Sequence, residues 1–384
     1  MRNIVKKTTL VSSLVLALSA NSMYAQSFEW ISSTEGNTWQ KSKAKLQTNA
    51  AQTPILDVNG SEEGTVFKAW GTCFNELGWD ALNMLPRKEQ ETILHKLFSP
   101  EGELRFTMGR FSMNANDYAR DWYSCDEVPG DFQLKYFNIN RDKTTLIPFI
   151  KAAQQYNPNM TFWMSPWSPP SWMKINHYYS VRSDRNQNQM SPLSDVALFE
   201  GSKEKNTKVF PQQLAVNDYF IQDPRYLQTY ANYFCKFIDA YKQQGIAISM
   251  VMFQNESWSY TNYPGCAWTA EGIIRFNTEY LAPTLKKQHP EIKLYLGTIN
   301  TNRYDVIDQV LSDPRMPETI QGVGFQWEGG QILPKLRAKY PQYKYVQTES
   351  ECGWGSFDWK AAEHTFGLMN HYLGNGCEEY TFWN

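Results

Sequence analysis

The chain of 384 residues carries a formal net charge of -2, with 37 Lys and Arg against 39 Asp and Glu. So even a balance excludes the basic footprint of a nucleic-acid binder and the acidic block of a solvating tail. The length suits one large α/β domain with something smaller attached. Aromatic residues are abundant, at 14 Trp, 22 Tyr and 21 Phe, and rings in such number serve either a large core or a surface that stacks on ligand.

Residues 1–25 read as a signal peptide: a basic start with Arg2, Lys6 and Lys7, then an apolar run over 8–20 too short to span a bilayer. The cut falls after Ala25 or, by a small-x-small rule, after Ser22. No Cys stands at that junction to take a lipid anchor, and no later run is apolar enough to span a membrane. A secreted or periplasmic location is expected.

Residues 26–66 begin polar and are expected to be an N-terminal β segment of a side domain. From residue 67 to 384, eight short apolar runs recur, at 67–74, 106–113, 161–168, 248–256, 293–300, 320–327, 343–350 and 378–384. Helical patterns separate most of them, at 87–97, 146–156, 224–244, 271–289, 304–311, 333–340 and 359–373. Strands alternating with helices predict a parallel sheet, and eight of them predict closure into a (β/α)8 TIM barrel. A polar insertion over 176–218, after the third strand, is expected as a pocket wall, a lid or a plain surface loop. The eighth strand ends the sequence without its helix, so the barrel is expected either to be truncated there, with the rest of the side domain absent, or to have that face covered by a partner.

The six cysteines, Cys73, Cys125, Cys235, Cys266, Cys352 and Cys377, permit disulfides in an exported chain or stand as buried thiols. None forms a CxxC pair, and the five His show neither HExxH nor His-x-His spacing. No metal, no cofactor and no phosphate-binding loop is expected.

In a barrel, the groups at the C-terminal strand ends face the active site. Those ends carry Arg110 and Asp117, then Trp167, then Asn255-Glu256, then Gln326-Trp327, then Glu349, and finally Trp383. Cleaving a glycosidic bond needs an acid for the leaving oxygen and a nucleophile or base for the anomeric carbon, and two carboxyls held in different environments supply both. Glu256 and Glu349, 93 residues apart, both fall at strand ends and can converge across the mouth. Glu351 is a rival for Glu349, since alternation puts both on one face. Arg110 would hold the nucleophile ionised by proximity. Asn255 is placed to hydrogen-bond a sugar 2-hydroxyl. Trp163, Trp167, Trp172, Trp258, Trp327 and Trp383 lie at or just beyond strand ends and are candidate stacking rings, while most Phe and Tyr fall in core patterns.

These residues resemble a family. The run SPWSPPSWMK at 165–174, DFQL at 131–134, Asn255-Glu256, Thr348-Glu349-Ser350 and the terminal Trp383-Asn384 are similar to glycoside hydrolase family 30, which contains glucosylceramidases and β-1,6-glucanases. The resemblance implies a (β/α)8 barrel with a β-sandwich side domain and retaining hydrolysis of β-D-glucosidic bonds. It implies Glu256 as acid/base and Glu349, rather than Glu351, as nucleophile. It also implies Arg110, an Asp117 that holds sugar hydroxyls, and pocket rings Trp167 and Trp383. The chain departs from the glucosylceramidase branch at Gln326-Trp327-Glu328, and its Phe74–Trp79 stretch looks more like the bacterial glucanase and exo-glycosidase branches. The expected ligand is a β-linked oligosaccharide, polysaccharide or glycoside. A β-xylosidase, β-fucosidase or β-galactanase could use the same machinery, and a glycan-binding barrel without catalysis is the alternative from another class.

Overall fold

The computed structural model describes residues 28–44, 64–197, 216–350 and 356–383. The predicted signal peptide, Glu351, Cys352 and Asn384 lie outside the described residues. Two compact units divide the chain at Glu63. In the first, β1 (Phe28–Thr34) and β2 (Asn37–Ala44) pair antiparallel as a hairpin, with Gly36 in the left-handed conformation at its turn.

The second unit is the predicted barrel. Eight strands close in the order β10-β3-β4-β5-β6-β7-β8-β9, every pair parallel. They are β3 (Ala69–Phe74), β4 (Met108–Met113), β5 (Thr161–Pro166), β6 (Ile248–Met252), β7 (Lys293–Ile299), β8 (Gly322–Gln326), β9 (Lys344–Glu349) and β10 (Cys377–Thr381). Each sits inside or within two residues of an expected run. β10 closes the ring on β3, with Tyr380 opposite Trp70.

Strand side chains divide between two apolar layers. Met108, Trp163, Met250, Met252, Tyr295 and Val346 fill the barrel interior. The opposite faces pack against the helices through a second core that includes Phe111, Phe162, Phe234, Phe325 and Tyr380. Trp163 therefore belongs to the interior packing. Trp172 and Trp258 are buried in the outer core and are not stacking rings for a ligand. The aromatic excess is thus mostly core, because large rings bury the most apolar area per residue.

The helices follow the predicted periods. The expected 224–244 helix is Pro224–Gln243, capped by Asp223, whose side chain accepts from Arg225 N. Its apolar stripe of Leu227, Tyr230, Phe234, Phe237 and Tyr241 is buried at 3.6-residue spacing. The 271–289 pattern forms two helical pieces around a π-helical turn at Phe276–Leu281. Two α-helices lie outside the expected ranges: the single turn Met316–Thr319, and Glu76–Asn83, whose N-cap is Asn75, accepting from Gly78 N at 2.7 Å. Among the described residues, no helix is long and apolar enough to cross a membrane.

The described part of the polar insertion is tied to the loop at 261–264. Val181 N and Arg182 N donate to Thr261 O, Ser180 bridges to Pro264, and Asn188 Nδ2 donates to Asn262 O at 2.9 Å. Residues 198–215 of that insertion lie outside the described residues. The free cysteines Cys73, Cys125, Cys235, Cys266 and Cys377 are all buried.

Candidate active site

Arg110 is the hub of the barrel mouth. It is fully buried on β4 and ties together β5, β9 from across the barrel and the loop after β6 with two nitrogens. Nη1 donates to Glu349 Oε2 at 2.7 Å and to Thr348 O at 3.0 Å. Nη2 donates to Asn255 Oδ1 at 2.6 Å and to Ser165 Oγ at 3.1 Å. Its guanidinium also lies over the rings of Trp167 and Trp163, at 4.5 and 4.8 Å. A delocalised cation with a rigid donor fork suits this task better than an ammonium would.

Glu349 reaches that hub through a distortion of β9. Phe325 pairs with Gln347, but the next β8 residue, Gln326, pairs with Glu349, so Thr348 is the extra residue of a bulge. With Val346 in the barrel interior, strict alternation would turn Thr348 inward and Glu349 away. The bulge re-aims Glu349. Thr348 Oγ1 is instead spent on Phe325 O and the Gln326 side-chain oxygen. The second oxygen, Glu349 Oε1, accepts from Trp327 Nε1 at 2.7 Å.

Glu256 sits in a different environment. Its donors are neutral: Ser259 Oγ at 2.8 Å and Tyr263 Oη at 3.3 Å on Oε2, and Gln326 Nε2 at 3.2 Å on Oε1. Burial, and then the negative charge of Glu349, push its carboxyl up to about 7, against the partial relief of those donors. Its backbone is left-handed, at φ 49, and its N–H donates to Thr298 Oγ1 at 3.1 Å. Thr298 is delivered by another irregularity, a register shift in β7 around Gly297, where a Cβ would meet Met252 Sδ at 2.9 Å. Trp327, at φ 50, shares the strained backbone region.

Asn255 shares Arg110 with Glu349 and Gln326 with Glu256. Its Oδ1 accepts from Arg110, Thr298 and Gln326, which turns the amide nitrogen away from all three. Asp117 completes the acidic set. Burial, and then Glu349, push it up to about 8, and its Oδ1 is buried without a hydrogen-bond partner among the described residues.

The three expected site rings differ in what they offer. Trp167 is 2% exposed and stacks on Trp383, with centroids 5.0 Å apart. Trp383 is also buried and has Tyr118 edge-on at 5.7 Å. These two form the floor under Arg110. Trp327 is 39% exposed and presents its ring at the rim. All eight expected site residues thus gather at one mouth. Ser165, Ser259, Tyr263 and Thr298 contact them directly and were not expected. Gln326 appeared only as a strand end, without a role. Hydroxyl residues in a Ser- and Tyr-rich loop carry no spacing signal, so nothing in the sequence marked Ser259 or Tyr263.

A closed parallel barrel with two carboxyls in contrasting environments at its C-terminal mouth has the layout of a barrel glycosidase. The chain matches the description "Glycosyl hydrolase family 30 TIM-barrel domain" over residues 67–188 and 218–381, and it belongs to glycoside hydrolase family 30. It is 26% identical over 376 residues to putative glucosylceramidase 4 of Caenorhabditis elegans, covering 92% of this chain and 66% of that protein. It is 24% identical over 255 residues to an endo-1,6-β-D-glucanase of Aspergillus fumigatus, covering 65% of this chain and 47% of that protein. The crystal structure of SrfJ from Salmonella typhimurium superposes with a TM-score of 0.73 at 20% identity, over 92% of this chain and 74% of that one. The chain spans between about half and two thirds of the length of the first curated relatives it matches.

Proposed function

We propose that the chain is a secreted or periplasmic retaining β-glycosidase that hydrolyses β-D-glucosidic bonds by double displacement. The supporting observation is the asymmetry of the two carboxyls. Glu349 is bonded to a permanent cation and an indole N–H, whereas Glu256 has only neutral donors and is pushed up to about 7. A raised acid beside a charge-compensated carboxylate is the division of labour that double displacement requires.

In the first step, a Glu349 oxygen attacks the anomeric carbon as its bond to the leaving oxygen breaks, and Glu256 gives that oxygen its proton. In the second, Glu256 takes a proton from water, the water oxygen bonds the anomeric carbon, and Glu349 departs. Asn255 Nδ2 is the donor for the 2-hydroxyl, and the unpartnered Asp117 Oδ1 accepts from a further sugar hydroxyl. Domain boundaries on this reading are 26–66 for the side-domain segment and 67–384 for the barrel.

The test is turnover of an aryl β-glucoside by Glu349→Ala and Glu256→Ala. Both should lose several orders of magnitude. Azide or a good leaving group should restore part of the activity in Glu256→Ala, yielding a β-glycosyl azide. Identical behaviour of the two variants would remove the assigned roles.

A further inference from the structure

A second group of rings lies outside the catalytic contacts. Trp122, Tyr178 and Tyr179 are half-buried and lie mutually edge-on, with centroid distances of 6.0, 6.5 and 6.2 Å. With Asp121, Gln187 and Gln189 they line an open cleft of about 370 Å3. Edge-on rings cover little of one another's faces, so part of each face stays available to a ligand.

The rings are held in place. Tyr178 Oη accepts from Gln189 N at 3.2 Å. The fully buried Lys174, last residue of the SPWSPPSWMK run, donates from Nζ to Tyr179 O at 2.6 Å and Gly265 O at 2.7 Å. This bolts the Tyr179 turn to the loop that carries Tyr263, a donor to Glu256. Around the rings stand exposed amides. Gln189 makes no side-chain hydrogen bond among the described residues, and Gln187 uses only its oxygen, toward Asn262.

The cleft shares a loop with the catalytic mouth. Tyr118 packs on Trp383, and the five steps along the chain from Asp117 to Trp122 span at most ~18 Å. The cleft thus begins within ~18 Å of Asp117, a distance that a short run of linked sugar rings can bridge. Aromatic faces rimmed by amides suit sugar rings, whose C–H faces stack and whose hydroxyls pair. A lipid tail would call for continuous apolar surface. A polyanion would call for unpaired cations, and Arg120 at this cleft is paired with Asp80.

We propose that the Trp122–Tyr178–Tyr179 cleft is a distal subsite for further glycosyl units, so that the substrate is a β-linked oligosaccharide or polysaccharide rather than a lipid-linked single sugar. This rests on the glycosidase reading above and specifies its substrate class.

The test uses the full chain and its Trp122→Ala and Tyr178→Ala variants. It compares kcat/KM on β-1,6-linked gluco-oligosaccharides, from di- to hexasaccharide, with that on an aryl β-glucoside and a glucosylated lipid. The ratio of hexasaccharide to aryl glucoside should fall about tenfold in both variants, the cost of losing a stacked ring. Trp122→Phe should recover most of it. An equal loss on both substrates would make these rings structural and overturn the proposal. A loss on the glucosylated lipid alone would place a lipid in the cleft and also overturn it. Should the wild-type chain hydrolyse none of these, the glycosidase reading fails separately. The subsite is then judged by hexasaccharide titration: binding about tenfold weaker in Trp122→Ala sustains it, and equal binding ends it.

Discussion

Arg110 Nη1 lies 2.7 Å from Glu349 Oε2, an ion pair buried at the mouth of the barrel. Both groups are out of water, so each depends on the other to offset its desolvation. The pair also depends on the Thr348 bulge, without which Glu349 would not face Arg110. Replacing Arg110 with Met leaves Glu349 as an uncompensated buried charge. The expected cost is about 3–5 kcal/mol in thermal or denaturant unfolding. Glu349→Gln should cost less, because Gln still accepts from Arg110. A stability change below about 1 kcal/mol for Arg110→Met would show that the pair is screened by water.

The indole N–H of Trp327 is the other donor to Glu349. Trp327→Phe keeps an aromatic ring at the rim and deletes that bond. A lost bond to a charged group is worth roughly 1.5–3 kcal/mol. Turnover should fall between about tenfold and a hundredfold, with KM for an aryl glucoside changing much less. A change confined to KM would make Trp327 a binding surface only.

Gly330 holds the turn that aims Trp327. A Cβ there would meet Tyr372 Oη at 2.5 Å, and the Gly330 carbonyl lies 2.7 Å from His371 Nε2. Gly330→Ala should therefore shift the Trp327 turn and lower turnover in the manner of Trp327→Phe. Adding Tyr372→Phe, which removes the clashing oxygen, should restore part of the loss. Failure of the second change to help would mean that the loss does not come from the Tyr372 hydroxyl.

The raised carboxyl of Glu256 sets the pH profile. A general acid must be protonated in the free enzyme, so kcat/KM should fall as pH rises through about 7. Burial is the first cause of that elevation and the Glu349 charge the second. Neutralising Glu349 in Glu349→Gln should lower the Glu256 titration, observed by carboxyl NMR, without returning it fully to the usual range. An unchanged midpoint would mean that the two carboxyls do not sense each other.

Asp142 supplies a stability test remote from catalysis. It is buried between Tyr123 and Tyr241, whose hydroxyls donate to it at 2.6 and 2.7 Å. Burial still raises it to about 6. The folded state then keeps a proton that the unfolded chain releases from about pH 4 upward. Its contribution to stability is complete below that pH and is lost as pH rises through about 6. Asp142→Asn should flatten the fall in unfolding free energy between those values. An unaltered slope would assign it to other groups.

Much of this architecture was legible in the chain. Buried parallel strands show as short continuous apolar runs, and helices such as Leu146–Tyr156 show a 3.6-residue stripe, so both periods survived. The helix at Glu76–Asn83 did not, because its pattern is short and its cap, Asn75, follows a strand without a break. Strand ends pointed to the eight candidate residues that the structure gathers at the mouth. The inward turn of Glu349 was not legible, since alternation runs against it and only the Thr348 bulge produces it. Nor could sequence separate Trp163, in the barrel interior, from Trp327 at the rim, since both lie on or beside strands and differ only in what surrounds them. Ser259 and Tyr263 reach Glu256 through the path of a loop, which residue types do not encode.

The central claim is that Glu349 and Glu256 act in succession on one anomeric carbon. NMR of a β-glucoside digest, recorded before the sugar mutarotates, reads this directly. Double displacement inverts the centre twice, so the first product should be the β-anomer. An α-anomer appearing first would mean a single displacement by water and would contradict the assignment of Glu349 as nucleophile.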